Sequence, residues 1–138
     1  MKIAVSACLL GDNCKYNGGN NYSEKVRKFI ECHEVVPVCP EVLGGLPIPR
    51  EPAEIVNGVV SRKDGTSVDR EFRSGAEKAM EIVRNNRVEV VILQSRSPSC
   101  GVNSIYDGSF SRKLIPGQGV FTELLQKNGI KVIDVEDL

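Results

Sequence analysis

Five cysteines and a single histidine carry most of the reactive chemistry available to this chain. Cys8 and Cys14 stand in "SACLLGDNCKYNGG", Cys32 precedes His33, Cys39 opens "CPE", and Cys100 closes "SPSC". An odd number of thiols argues against a disulfide framework and for metal or reactive-thiol chemistry. The plain alternative for each one taken alone is a small buried hydrophobe, as free cysteine often is. All-thiolate ligation favours zinc or an iron–sulfur cluster over harder ions. Structural zinc usually takes close C-x-x-C pairs, whereas these thiols come singly. Single ligands from separate segments suit a larger object, and three thiolates on a four-iron cluster leave one iron open to substrate.

Three other chemistries fit less well. The glycine-rich loop after the first apolar run has the position of a phosphate cradle. Its "GDNCKYNGG" matches neither G-x-x-x-x-G-K-[ST] nor G-x-G-x-x-G. A cysteine hydrolase built on Cys100 needs a base, most often histidine, and His33 is expected at the opposite edge of the fold. Val5-Ser6-Ala7-Cys8 resembles a lipidation site, but seven residues before Cys8 are too few for a signal sequence.

The elements that position these thiols can be traced from apolar runs and turn signals. Strands are expected over residues 3–7, 34–38, 88–93 and 131–135. Helices are expected after Ser23 with Val26, Phe29 and Ile30 inward, from an Asp69 N-cap to about residue 86, and over 121–127, closed by Gly129. Phe72, Ala76, Ala79, Met80 and Val83 form the inward stripe of the long helix. Residues 40–53 and 95–117 read as irregular loops. Asn57-Gly58 and Asp64-Gly65 signal a small β-hairpin excursion around residues 54–68. Alternating strands and helices predict one α/β domain over residues 1–138, a Rossmann-like three-layer sandwich with a mostly parallel, four- to five-stranded sheet.

Right-handed crossovers set the C-terminal ends of such strands along one edge, where open α/β sheets bind ligands. Cys8, Cys39 and Cys100 follow three different strands and so reach that edge together. Cys32 falls at the opposite edge as a packing or surface thiol. Cys14 sits in a loop that leaves it either inside or outside the group.

With 18 basic and 18 acidic side chains in 138 residues, the formal charge is zero. Nothing in that balance forms a footprint for a nucleic-acid polymer or an anionic membrane. No apolar run approaches the roughly 20 residues that span a bilayer. A cytoplasmic protein is expected.

Four segments then form a recognisable set: "SACLLGDNCKYNGG", "VCPEVLGGLPIPREPAEI", "SRSPSCGVNSIYDGSF" and "LIPGQGVFTELLQKNGI". Together, over residues 3 to about 135, they resemble the thiouracil desulfidase family. The resemblance implies a [4Fe-4S] cluster on Cys8, Cys39 and Cys100 with one open iron position, absent or replaced in protein prepared in air. It implies removal of sulfur from a small thiolated nucleobase or thioamide such as 2-thiouracil, giving uracil and sulfide. Glu41 looks like the family's acid/base, with an exposed loop charge as the alternative. One of Ser97 and Ser99 would hydrogen-bond substrate or cluster, unless both are simply turn formers. Tyr16 and Asn17 would face the pyrimidine, although the family more often has an acidic residue where Asn17 stands. Arg50, with Glu51 and Glu54, either binds the outer part of the substrate or joins an internal ion pair, with solvated charge as the equal alternative. Asp107-Gly108 reads first as a turn. From a different class, the competing reading is a non-catalytic zinc- or iron–sulfur-binding module with a structural or sensing role.

Overall fold

Ile3, Ala4 and Val5 are fully buried, so the first apolar run is a strand covered on both faces. Such strands read as unbroken hydrophobic stretches rather than as alternating ones. A computed structural model describes residues 1–138. The chain runs β1 (Lys2–Ser6), a 3-10 turn (Ala7–Leu10), α1 (Glu24–Phe29), β2 (Glu34–Val38), α2 (Pro40–Leu43), β3 (Ala53–Val56) and β4 (Val59–Arg62). It continues with α3 (Asp69–Asn85), β5 (Val90–Leu93), β6 (Ser104–Tyr106), β7 (Leu114–Pro116), α4 (Val120–Lys127) and β8 (Lys131–Asp134). No helix is long and apolar enough to cross a membrane.

The main sheet has the order β2-β1-β5-β8, and all its pairs are parallel. Ala4 stands opposite Val36 on one side and Val91 on the other. The pleat sends Ile3, Val5, Val90 and Ile92 to one face, where Val26 of α1 and Leu9 cover them. Ala4, Val91 and Leu93 face the other way, into a larger core with Phe72, Ala76, Ala79, Met80 and Val83 of α3 and Phe121 and Leu125 of α4. This is the three-layer sandwich the periodicity predicts, with four strands in the sheet.

Two glycines fix how α2 lies on α3. A Cβ on Gly44 would stand 2.0 Å from Glu71 O, and one on Gly75 1.8 Å from Pro40 O. Both obstacles are backbone, so no rotamer relieves them. Gly75→Ala is expected to destabilise the fold by about 2–3 kcal/mol, read as a lower urea midpoint with an unchanged m value. The same change pushes on the short helix that follows Cys39.

Several local expectations need correction. Residues 40–53 are not wholly irregular. Pro40 occupies the first helical position, where its fixed φ suits the turn and its missing N–H costs nothing, and α2 forms there. Residues 95–117 contain the hairpin β6–β7, joined antiparallel. Asp69 is the first residue of α3 rather than its cap; Val68 holds the cap position. The Asp69 carboxylate instead accepts the Val60 N–H at 2.9 Å and pairs with Arg73 at 3.2 Å, tying α3 to β4. Phe29 is 41% exposed, because α1 is a six-residue helix that buries only Val26 fully. The Asn57-Gly58 turn joins β3 to β4, with φ of 50° and 81° as a type I′ turn requires.

Candidate active site

Ser6, Val38 and Leu93 end β1, β2 and β5 on one edge of the sheet. The segments leaving those ends enclose a cavity of about 770 Å³, roofed by the two hairpins. Cys8, Cys14, Cys39 and Cys100 all line it, together with Glu41 and Ser99. All five cysteines are free thiols.

Each thiol is held by its own local structure. Cys8 sits in the 3-10 turn after β1, which Gly11 ends in the left-handed region at φ 98°. Asn21 returns from the loop to donate its Nδ2 to Cys8 Sγ at 3.4 Å, and its N–H to Cys8 O at 2.9 Å. Cys39 is the cap residue of α2. Cys100 lies in a turn closed by Ser97, whose Oγ accepts the Cys100 N–H at 2.7 Å. The turn is packed tightly, since a Cβ on Gly119 would stand 2.4 Å from Ser99 C.

Cys14 is buried and lines the same cavity as Cys8 and Cys39, close enough for its thiol to shift the titration of both. That thiol holds Cys39 at about 7 against desolvation, helped by the nearby Val42 N–H and the Arg50 charge. It lowers Cys8 as well, with Asn21 assisting. Cys14 is itself driven upward by the same two sulfurs. Cys100 stands apart from this trio; burial pushes its thiol up to about 12, against hydrogen bonds from Ser99 and Ser6.

Glu41, in the first turn of α2, binds two partners. Its Oε2 accepts the Ser99 hydroxyl at 2.7 Å, and its Oε1 faces Arg50 at 3.0 Å. Ser99 Oγ also lies 3.6 Å from Cys100 Sγ. A hydroxyl has one proton to give, and the short contact to a carboxylate is the stronger bond. Ser97 Oγ stands 3.2 Å from Ser99 Oγ.

Arg50 proves to be an internal strut. Its side chain is 6% exposed, with Nε and an Nη on Glu41 Oε1, an Nη 2.8 Å from Cys14 O and another 3.2 Å from Pro47 O. Removing one partner of a buried ion pair leaves the other unpaired. Arg50→Met is therefore expected to cost about 3 kcal/mol, measured by urea unfolding, and to loosen the Cys14 loop together with Glu41.

The remaining candidates divide. Tyr16 lines the cavity, is 42% exposed, and has the Lys15 ammonium 6.0 Å from its ring centroid. Asn17 is exposed and outside the lining; its Oδ1 accepts the Gly19 N–H at 2.9 Å, so it shapes a turn. Cys32 and His33 are exposed just before β2, at the other edge of the sheet. Asn21 and Ser6 were not legible as site residues. Ser6 Oγ accepts the Gln94 N–H at 3.0 Å across 88 residues of sequence, a pairing no local pattern announces.

No three His, Cys, Asp or Glu side chains converge closely enough to hold a single metal ion. The soft thiols gathered around this one cavity suit iron and sulfide better than harder ions.

A parallel α/β sandwich with soft donors and a carboxylate at its carboxyl edge defines a class of cofactor-dependent enzymes that bind small ligands in that crevice. The chain belongs to the 2-thiouracil desulfurase family, which it matches over residues 3–137, and is thus a C–S bond-cleaving enzyme. It is 40% identical to the uncharacterized protein YbbK of Bacillus subtilis (strain 168), covering 99% of this chain and 97% of that one. Its fold is similar to that of the [4Fe-4S]-dependent thiouracil desulfidase TudS, with a TM-score of 0.94 and 38% identity. That likeness covers 99% of this chain and 92% of the other.

Proposed function

We propose that this protein removes sulfur from a small thiolated pyrimidine such as 2-thiouracil, with water, to give uracil and sulfide. Cys8, Cys39 and Cys100 would hold a [4Fe-4S] cluster by three thiolates, leaving one iron without a protein ligand. The observation that carries this reading is the meeting of these thiols, delivered by three separate strands, in one cavity beside Glu41. When bound, the cluster supplies a soft Lewis acid for sulfur.

The chain's own residues supply the rest. Glu41 takes a proton from water as the oxygen adds to the carbon bearing sulfur, and returns it to the departing sulfur side. Ser99 donates to Glu41 Oε2 and orients the carboxylate. Arg50 holds the carboxylate in place from the other side. Cys14 lies in the same cavity as Cys8 and Cys39, as a neighbour rather than a ligand. Tyr16 covers the cavity mouth.

The formal charge of zero suits a small substrate rather than a nucleic-acid polymer. Free thiols suit a reducing, cytoplasmic setting.

Anaerobic purification with elemental analysis tests the cofactor. About four iron and four acid-labile sulfide per chain are expected. Zinc without labile sulfide, in protein that cannot be reconstituted, would contradict the proposal.

A further inference from the structure

The hairpin β6–β7 carries a loop, residues 107–113, whose conformation is costly. Phe110 and Arg112 hold φ of 58° and 62°, in the left-handed region that bulky side chains avoid. Such strain persists only where surrounding contacts impose it, and it gathers at functional sites.

The contacts that impose it are on view. Glu54 of β3 accepts two backbone N–H groups with one oxygen, Gly108 at 3.0 Å and Phe110 at 3.1 Å. The Asp107 N–H closes the loop on Lys113 O at 2.9 Å. Gly108, at φ 92°, lies so close to β3 that a Cβ there would stand 2.7 Å from Ile55 O. Glu54 therefore clamps one hairpin onto the other.

What the clamp presents is the Phe110 ring. Phe110 is only partly buried and belongs to neither hydrophobic core, so packing does not account for it. A glycine or asparagine would take this backbone conformation with less strain. Its ring lines the cavity that Cys8, Cys39, Cys100 and Glu41 share. An aromatic face on a cavity that also carries polar groups is a stacking surface for a flat heteroaromatic ring.

We propose that Phe110 is the aromatic wall on which the substrate ring stacks, and that Glu54 is the positioning residue that holds it there. This rests on the thiolated pyrimidine proposed above.

Steady-state kinetics on 2-thiouracil, with anaerobically reconstituted protein of measured iron content, test both parts. Phe110→Leu keeps bulk but loses the flat face; KM is expected to rise about tenfold, with the loss falling on KM rather than kcat. Phe110→Tyr should recover most of that loss. Glu54→Ala should raise KM to a similar degree, and Glu54→Gln, which keeps an oxygen acceptor, should recover most of it. Iron per chain should match the wild type in all four variants. A KM within twofold of wild type in Phe110→Leu overturns the stacking role, and the same result in Glu54→Ala overturns the positioning role. Wild-type protein that is loaded with cluster yet leaves 2-thiouracil intact contradicts the activity itself, a failure distinct from either of these.

Discussion

Cys100→Ala is expected to leave anaerobically reconstituted protein nearly colourless, with iron falling from about four per chain to below about one. The other two proposed ligands have a spare thiol at hand, since Cys14 shares their cavity and lowers the pKa of both Cys8 and Cys39. Cys100 lies in a turn of its own, with Ser99 Oγ 3.6 Å from its sulfur. It is 5% exposed, and truncation to alanine removes one sulfur while leaving the backbone bond to Ser97 Oγ intact. Loss of iron would thus report a lost ligand rather than a lost fold, which far-ultraviolet circular dichroism verifies. Cys8→Ala and Cys39→Ala should lose iron too, though less completely if Cys14 moves in. Cys32→Ala should keep all of it, because Cys32 is exposed at the far edge of the sheet. A Cys100→Ala protein with wild-type iron and sulfide would remove Cys100 from the ligand set.

Glu41→Gln should separate cluster binding from chemistry. The amide keeps the size of the side chain and can still accept from Ser99, but it no longer takes a proton. General acid–base catalysis contributes about 10²- to 10⁴-fold, so kcat should fall by that order while iron content stays at the wild-type value. Single-turnover reaction with 2-thiouracil is the suitable assay, since it reads the chemical step apart from product release. Full activity in a cluster-loaded Glu41→Gln protein would assign the proton transfers to another group. The substitution also leaves Arg50 facing a neutral amide, so some loss of stability should accompany it.

How much of this was legible in the sequence follows from which forces are local. Val90–Leu93 and Ile3–Val5 are apolar on every residue because both faces of a parallel sheet are covered, and that burial is written in composition. Asn57-Gly58 marked its hairpin because few residue pairs accept two positive φ values. The convergence of Cys8, Cys39 and Cys100 was readable from topology alone, since handed crossovers bring strand ends to one edge.

Contacts between distant segments hid the rest. Cys14 joins the cavity because Arg50, 36 residues on, holds its carbonyl, and Asn21 folds the loop back on Cys8. Arg50 reads as equally fit for substrate or an internal ion pair, because the partners that engage its donors lie in other segments. The three-residue strands β6 and β7 are too short to show a period, and Leu114 and Ile115 remain exposed, so no burial pattern betrays them. The role of Glu54 is not legible because its partners are backbone N–H groups 54 and 56 residues away, which no side-chain pattern announces.

The central claim is that this cavity exchanges a thiocarbonyl sulfur for oxygen, and the direct measurement is product stoichiometry from 2-thiouracil under anaerobic conditions. Reconstituted protein carrying about four iron per chain should release uracil and sulfide in equal amounts, over many turnovers, and protein stripped of iron should release neither. Fully loaded protein that leaves 2-thiouracil unchanged, or stripped protein that converts it equally well, would contradict the account.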